Sequence, residues 1–183
     1  LGLARNMSRR SLSEARRSVW DLRSHLLENN DLAAALTEMA APLSASSGVK
    51  IDVQSAGMPR KLPAIIEHNL LRVTQEALAN ALKHSGAKKI ILALNYESSQ
   101  VQLRIQDDGD GFDILTVGHA SSGHFGLLDM RERAEKIGAR FTLVSRPGQG
   151  TEILLLIKEA MTNSSPIRTE PTLDSKIISR NEK

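Results

Sequence analysis

Cysteine is missing from all 183 residues. That excludes disulfides and thiolate-ligated metal, and it fits a reducing compartment. Aromatic side chains make up only 3% of the chain, so the core must be aliphatic. Modules that grip nucleic acid by stacking bases on exposed rings are correspondingly disfavoured. No apolar run approaches the roughly 18 residues of a membrane-spanning helix, and no signal-peptide pattern is visible. There is no Gly-Lys-Ser/Thr and no G-x-G-x-x-G, so neither a Walker-type phosphate loop nor a dinucleotide fold is supported. A serine nucleophile lacks its G-x-S-x-G turn. His25, His68, His84, His119 and His124 form no H-E-x-x-H pair or other metal-ligand spacing, which points to surface or capping roles. His84 differs, because it follows Lys83 on a helix stripe described below.

Hydrophobic residues at 40% and charged residues at 25% are ordinary globular proportions, enough for one domain with appendages. The net charge of +3 and pI near 9.4 raise the question of nucleic acid. The basic residues, however, gather early, at Arg5, Arg9, Arg10, Arg16, Arg17 and Arg23, on one predicted helix rather than in a domain-wide patch. A solvated helix face accounts for that, and no nucleic-acid partner is expected. The first residue is Leu rather than Met, which suggests a piece of a longer protein.

Residues 1–28 read as a helix whose apolar positions Leu12, Ala15, Val19, Leu22 and Leu26 alternate by three and four. That narrow seam needs a partner helix, and dimerisation through residues 1–30 is the natural expectation. Asn30-Asp31 offers an N-cap for a second helix over 31–46. Residues 49–53 alternate as a strand, with Gly57 and Pro59 in the loop that follows. Pro63 suits the first turn of a helix over 63–84. Two alternating runs, 89–96 and 101–106, read as a hairpin. The aperiodic stretch 109–124 is long enough to be a lid. A helix over 125–137 and strands over 140–145 and 151–158 close the domain. Residues 159–183 are polar and patternless, and read as a disordered tail. This order does not alternate strictly between strand and helix. It predicts an α+β fold, a two-layer α/β sandwich with helices on one face of a mixed sheet.

Four short motifs occur in fixed order: Gln75-Glu76-Ala77-Leu78-Ala79-Asn80-Ala81-Leu82-Lys83-His84, Asp107-Asp108-Gly109-Asp110-Gly111, Gly123-His124-Phe125-Gly126-Leu127 and Gly148-Gln149-Gly150-Thr151. On the helix of the first, Arg72, Glu76, Asn80 and Lys83 form a polar stripe between apolar stripes (Ile66, Leu70, Val73, Ala77, Ala81 on one side; Leu71, Leu78, Leu82 on the other). Such a stripe suits the edge of a pocket, where an Asn oxygen and a carboxylate suit Mg²⁺ and a Lys suits phosphate. An i,i+4 network on a half-exposed helix is the plainer alternative. In the second motif, glycines two apart permit a sharp turn and close approach to a flat ligand. A carboxylate at a strand end can accept a hydrogen bond from an exocyclic amine, although an acidic turn has the same composition. An EF-hand loop would want Glu near position 118, where Gly118 stands. Gly123-x-x-Gly126 opens a helix, which is either an anion site or a flexible helix entry.

Taken together, order and spacing resemble the catalytic part of the bacterial sensor histidine kinases, in the subfamily of the nitrate and lipid-desaturase sensors, with a Bergerat-type ATP-binding fold. The resemblance spans about residues 1–158 and includes Met130-Arg131-Glu132-Arg133-Ala134 after the lid. It implies ATP and Mg²⁺ as cofactors. Asn80 would coordinate Mg²⁺, Glu76 would order the metal's water shell, and Lys83 and His84 would meet phosphate. Asp107 would hold the adenine amine, with Gly109 and Gly111 as wall and hinge. Residues 112–124 would be the lid, Gly123, Gly126 and Leu127 would lie near phosphates and base, and Thr151 would contribute a hydroxyl beside Asp107.

Residues 1–30 resemble the second helix of the family's dimerisation and phosphoacceptor hairpin, and 31–158 its catalytic domain. The chain departs from the family in one respect: no histidine is followed by Asp or Glu, so the phosphoacceptor is expected elsewhere. The resemblance further implies a response regulator as partner and a cytoplasmic location, as the cytoplasmic part of a membrane-anchored sensor. Two other readings compete: an anti-sigma-type switch of the same fold, which the heptad helix argues against, and a basic DNA-binding regulator, which lacks a helix-turn-helix signature.

Overall fold

A computed structural model describes residues 31–114 and 125–158. The heptad helix and its dimerisation, most of the lid including Gly123, and the tail therefore lie outside the described residues. The first helix, α1 (Leu32–Ser47), starts where Asp31 accepts the Ala34 N–H at 2.8 Å and stops at Gly48 in the left-handed conformation. Strand β1 (Lys50–Gly57) precedes α2 (Ala64–Asn80), which continues into a single π-helical turn, Ala81–Ser85. Strands β2 (Lys89–Tyr96) and β3 (Gln100–Asp107), helix α3 (Phe125–Lys136), and strands β4 (Arg140–Ser145) and β5 (Thr151–Lys158) complete the domain.

The five strands form one sheet in the order β1-β2-β3-β5-β4, with β1 parallel to β2 and every other pair antiparallel. It is the mixed sheet that the order of elements predicted. Period-2 alternation decides which face is covered. Ile90, Leu92 and Leu94, Val101, Leu103 and Ile105, and Ile153, Leu155 and Ile157 all point inward. They meet Leu32, Leu36 and Met39 of α1, Leu70, Val73 and Leu78 of α2, and Met130 and Ala134 of α3. The opposite face carries Gln102, Arg104 and Gln106, which have no place in an apolar layer. α3 rests on α2 and β4, and α1 covers β1.

Two predicted boundaries shift for identifiable reasons. The first strand runs to Gly57 rather than ending at 53, because parallel pairing with all of β2 draws polar Gln54 and Ser55 into an exposed edge. Gly57 closes it with φ at 80°, its Cα against the Tyr96 carbonyl, where a Cβ would not fit. Pro63 serves as the N-cap of α2 rather than its first residue, and it supplies no side-chain cap. Glu67, only 2% exposed, ties the incoming chain to the helix by accepting the Leu62 N–H at 3.0 Å. Its carboxylate also sits in the first turn, where the helix dipole favours negative charge.

Because Leu103 is fully buried at the centre of the sheet, Leu103→Ala should lower unfolding stability by about 3 kcal/mol in chemical denaturation. Val144→Ala, on the half-exposed edge strand, should cost less than about 0.5 kcal/mol.

Candidate functional site

Strand register assembles one end of the site. β3 pairs Asp107 with Thr151 of β5, β5 pairs Thr151 with Ser145 of β4, and β2 pairs Ile90 with Asp107. Ile90, Asp107, Thr151 and Ser145 therefore form one row across the sheet on its covered face. The row above it, Leu92, Ile105, Ile153 and Leu143, is apolar. Above these rows α2 and α3 leave a cavity of about 440 Å³, a typical size for a small-molecule site. Its apolar wall comes from Ile90, Ile105, Ile153, Leu127 and Met130, and its polar groups from Glu76, Asn80, His84, Asp107 and Thr151.

Asp107 and Asp108 are neighbours with opposite fates, because a strand sends successive side chains to opposite faces. Asp107 is 8% exposed, and burial pushes its pKa above the ordinary 3.8. The backbone N–H groups of Gly109 and Thr151 and the Ser85 hydroxyl work against that rise, while the charge on Asp108 adds to it. The Gly109 N–H donates to its Oδ1 at 2.9 Å. Asp108 is exposed and takes the backbone N–H groups of Lys89 and Lys88, each at 2.8 Å, which hold its pKa below the usual value. One carboxylate fastens the loop; the other faces the cavity.

The glycines of the second motif make this possible. Gly109 lies against Ser85, and the next residue's N–H reaches the Ser85 carbonyl at 2.6 Å. Gly111 adopts φ of 58° beside the backbone carbonyls of Arg146 and Gly150, where any side chain would collide. The β3 exit and the β4–β5 turn are thereby locked backbone to backbone, with Gly148 N–H donating to the Asp110 carbonyl at 2.6 Å.

At the opposite end of the cavity, α2 and α3 meet at Gly126. A Cβ there would strike Glu76 Oε1 and come within 3.3 Å of Asn80 Nδ2. Glycine thus brings the first turn of α3, whose backbone N–H groups have no intrahelical acceptor, into contact with both polar side chains. Among the described residues no three His, Asp or Glu side chains converge as a closed metal cage.

Of the predicted site residues, Glu76, Asn80, His84, Asp107, Gly111, Gly126, Leu127 and Thr151 line the cavity. Gly109 lies behind the wall against Ser85. Lys83 is exposed and does not reach the lining. The π turn explains the difference. More residues per turn rotate position 83 away from Asn80 and leave His84 beneath it. Ser85 and Ser145 were not anticipated, and Phe112 opens the stretch expected to be the lid. Only Ser145 left a trace in the sequence, a polar residue at an inward position of a strand otherwise alternating toward the core.

Burial raises the pKa of Asp107, so the folded chain binds that proton more tightly than the unfolded chain does. Its ionised form therefore opposes folding at neutral pH, and stability from this group grows as pH falls through the raised value. Asp107→Asn should raise the melting temperature at pH 7, and the gain should shrink toward pH 4, in paired thermal melts.

Comparison with known proteins agrees with this geometry. Residues 65–161, just over half of the chain, match the family described as histidine kinase-, DNA gyrase B-, and HSP90-like ATPase. The histidine-protein kinase/phosphatase DegS of Brevibacillus brevis is 30% identical over 166 residues, covering 91% of this chain and 40% of that protein. The sensor protein VraS of Staphylococcus haemolyticus is 36% identical over 149 residues, covering 80% and 41% respectively. The chain thus spans about two-fifths of these relatives. The histidine kinase domain of a blue-light activated kinase from Erythrobacter litoralis superposes with a TM-score of 0.59 at 23% identity, over 69% of this chain and 60% of that one. ShkA, solved with AMPPNP, superposes at 0.58 and 19% identity, over 69% and 29%. At those identities the structural matches speak for the fold alone. With the family match and the site geometry together, the chain belongs to the histidine kinase-, DNA gyrase B- and HSP90-like ATPase family and is homologous to the ATP-binding part of sensor histidine kinases.

Proposed function

We propose that this chain binds Mg-ATP and serves as the catalytic part of a two-component sensor histidine kinase. The observation that carries the reading is the cavity's polarity. A buried carboxylate stands at one end of an apolar slot, and Glu76, Asn80 and the first turn of α3 stand at the other. An adenine ring fits the slot between Ile90, Ile105, Ile153, Leu127 and Met130, with its amine donating to Asp107. The triphosphate then runs toward α3, where free backbone N–H groups and the helix dipole favour an anion.

These residues fit Mg²⁺ in the way it is usually held, through one or two protein oxygens with phosphates and waters completing the octahedron. Asn80 would offer its amide oxygen, and Glu76 would accept from water in the metal's shell. Mg²⁺ bound there would neutralise charge on the transferring phosphoryl group. His84 faces the cavity and can donate to a phosphate oxygen. Lys83, one residue away on the exposed side, is suited to meet phosphate only from the rim. Gly123, outside the described residues, remains assigned to the phosphate loop on its motif.

The acceptor would be a histidine on another helix, since no histidine here carries the family's acidic neighbour. Position and charge compensation would do the chemistry: an imidazole nitrogen would attack the γ-phosphorus in line as its bond to the bridging oxygen breaks and ADP leaves. The phosphoryl group would pass on to an aspartate of a response regulator. Dimerisation through residues 1–30 would present that histidine, and the kinase would work in the cytoplasm. Among the described residues no helix is long and apolar enough to cross a membrane.

Calorimetry with Mg-ATP tests the site. Wild type should bind, Asp107→Ala should weaken binding roughly 10- to 100-fold through loss of a charged acceptor, and Asn80→Ala should do so only when Mg²⁺ is present. No heat of binding from a cooperatively melting wild type would overturn the reading. A pH series adds a second check. Affinity should fall on acidification at a pH above that of an ordinary aspartate, because protonated Asp107 loses acceptor capacity and its pKa is raised. Asp107→Asn should bind weakly and lack that acid limb.

A further inference from the structure

Ser145 ends β4 at the far end of the row that contains Asp107, and it is 7% exposed. Its Oγ meets three polar groups: the Phe112 N–H at 2.9 Å, the Gly150 carbonyl at 3.0 Å and the Thr151 hydroxyl at 3.0 Å. The amide can only donate and the carbonyl can only accept. A serine hydroxyl has one proton and two lone pairs. A single arrangement serves all three contacts. Ser145 gives its proton to Gly150, accepts from Phe112, and accepts from Thr151. Were Ser145 to donate to Thr151 instead, the Gly150 carbonyl would face an oxygen with no hydrogen between them.

The consequence falls on Thr151, which lines the cavity beside Asp107. Its only proton is committed to β4, so its oxygen keeps nothing but lone pairs for a ligand. A free hydroxyl rotates and serves as donor or acceptor as required; this one is held as an acceptor.

We infer that Ser145 is a positioning residue that makes the base end of the cavity select 6-amino over 6-oxo purines. With the Thr151 proton held away, Asp107 and Thr151 both present acceptors. An exocyclic amine has two hydrogens for them. A carbonyl oxygen in the same place meets lone pairs on both sides, and the ring N–H beside it can serve only one of the two acceptors, so the other is left unpaired. Asp107 alone would not discriminate so well, because a carboxylate also accepts from the ring N–H of a 6-oxo purine. The inference rests on the cavity being a purine nucleotide site.

The test compares Kd values for Mg-ATP and Mg-ITP by calorimetry on the 183-residue chain, with a thermal melt for each variant. ITP differs from ATP in carrying a 6-oxo group and a ring N–H. Ser145→Ala frees the Thr151 hydroxyl to donate, so the preference for ATP over ITP should fall about tenfold, equivalent to one hydrogen bond. Ser145→Thr, which keeps the oxygen, should restore it. In a Thr151→Ala background, Ser145→Ala should change the ratio no further, since Ser145 acts through that hydroxyl. Should Ser145→Ala fail to melt cooperatively, Ser145→Cys, with a weakly bonding thiol of similar size, takes its place. Equal weakening toward both nucleotides would reduce Ser145 to a structural prop and overturn the inference, as would an undiminished effect in the Thr151→Ala background. Failure of wild type to bind either nucleotide would instead remove the nucleotide reading itself, and this inference with it.

Discussion

Everything in the site depends on the antiparallel register that pairs Asp107 with Thr151. Side-chain period in a strand is two, so a slip of one residue would send Asp107 to the polar face and bring Gln106 inward. The adjoining apolar rows hold the register: Leu103 with Leu155 and Ile105 with Ile153 are opposite each other and buried. A slip would expose all of them together. Core packing and placement of the functional carboxylate are therefore one constraint, enforced by the same hydrogen-bond ladder.

The carboxylate is held in a place that does not favour its charge. Burial raises its pKa, and the neighbouring Asp108 raises it further, while two backbone amides and the Ser85 hydroxyl restrain the rise. Such tension is common where a group must meet a ligand rather than water. Close packing at Gly111, against backbone carbonyls, and at Gly126, against the Glu76 and Asn80 side chains, has the same character. Neither position gains side-chain burial from glycine; at Gly111 a Cβ would collide with backbone, and at Gly126 it would displace the Glu76 carboxylate. The surrounding aliphatic core carries the stability that these positions give up.

The two halves of the cavity are built on different principles. The strand end is made of sheet residues, and its polar atoms are ordered by hydrogen bonds that leave little rotational freedom, as at Ser145. The helical end is made of helix surface and helix terminus, where Glu76 and Asn80 meet the start of α3. A rigid end suits discrimination between ring edges. The helix end, whose loop continues into residues beyond those described, suits a charged group that must be handed on.

Much of this was legible in the residues alone. Hydrophobic alternation announced every strand, capping and glycine signals bounded the helices, and the order of four motifs pointed to one family. Those features are local: each depends on a periodicity of 2 or 3.6, or on a backbone conformation only glycine adopts easily. Glu76, Asn80, Asp107 and Thr151, singled out on regular elements, line one cavity for the same reason. Packing alone reveals where regularity breaks and where distant segments meet. The π turn after Asn80 replaces Lys83 with His84 in the cavity wall, and no helical wheel drawn at 3.6 residues per turn contains it. Ser145 joins Phe112, Gly150 and Thr151 across gaps of up to 33 residues, and a hydroxyl reveals its donor and acceptor only when its neighbours are in place. Fold and family could be read from the residues, because patterning and motif order are written locally. Register, the π turn and proton direction were settled by packing, because each is a property of several segments at once.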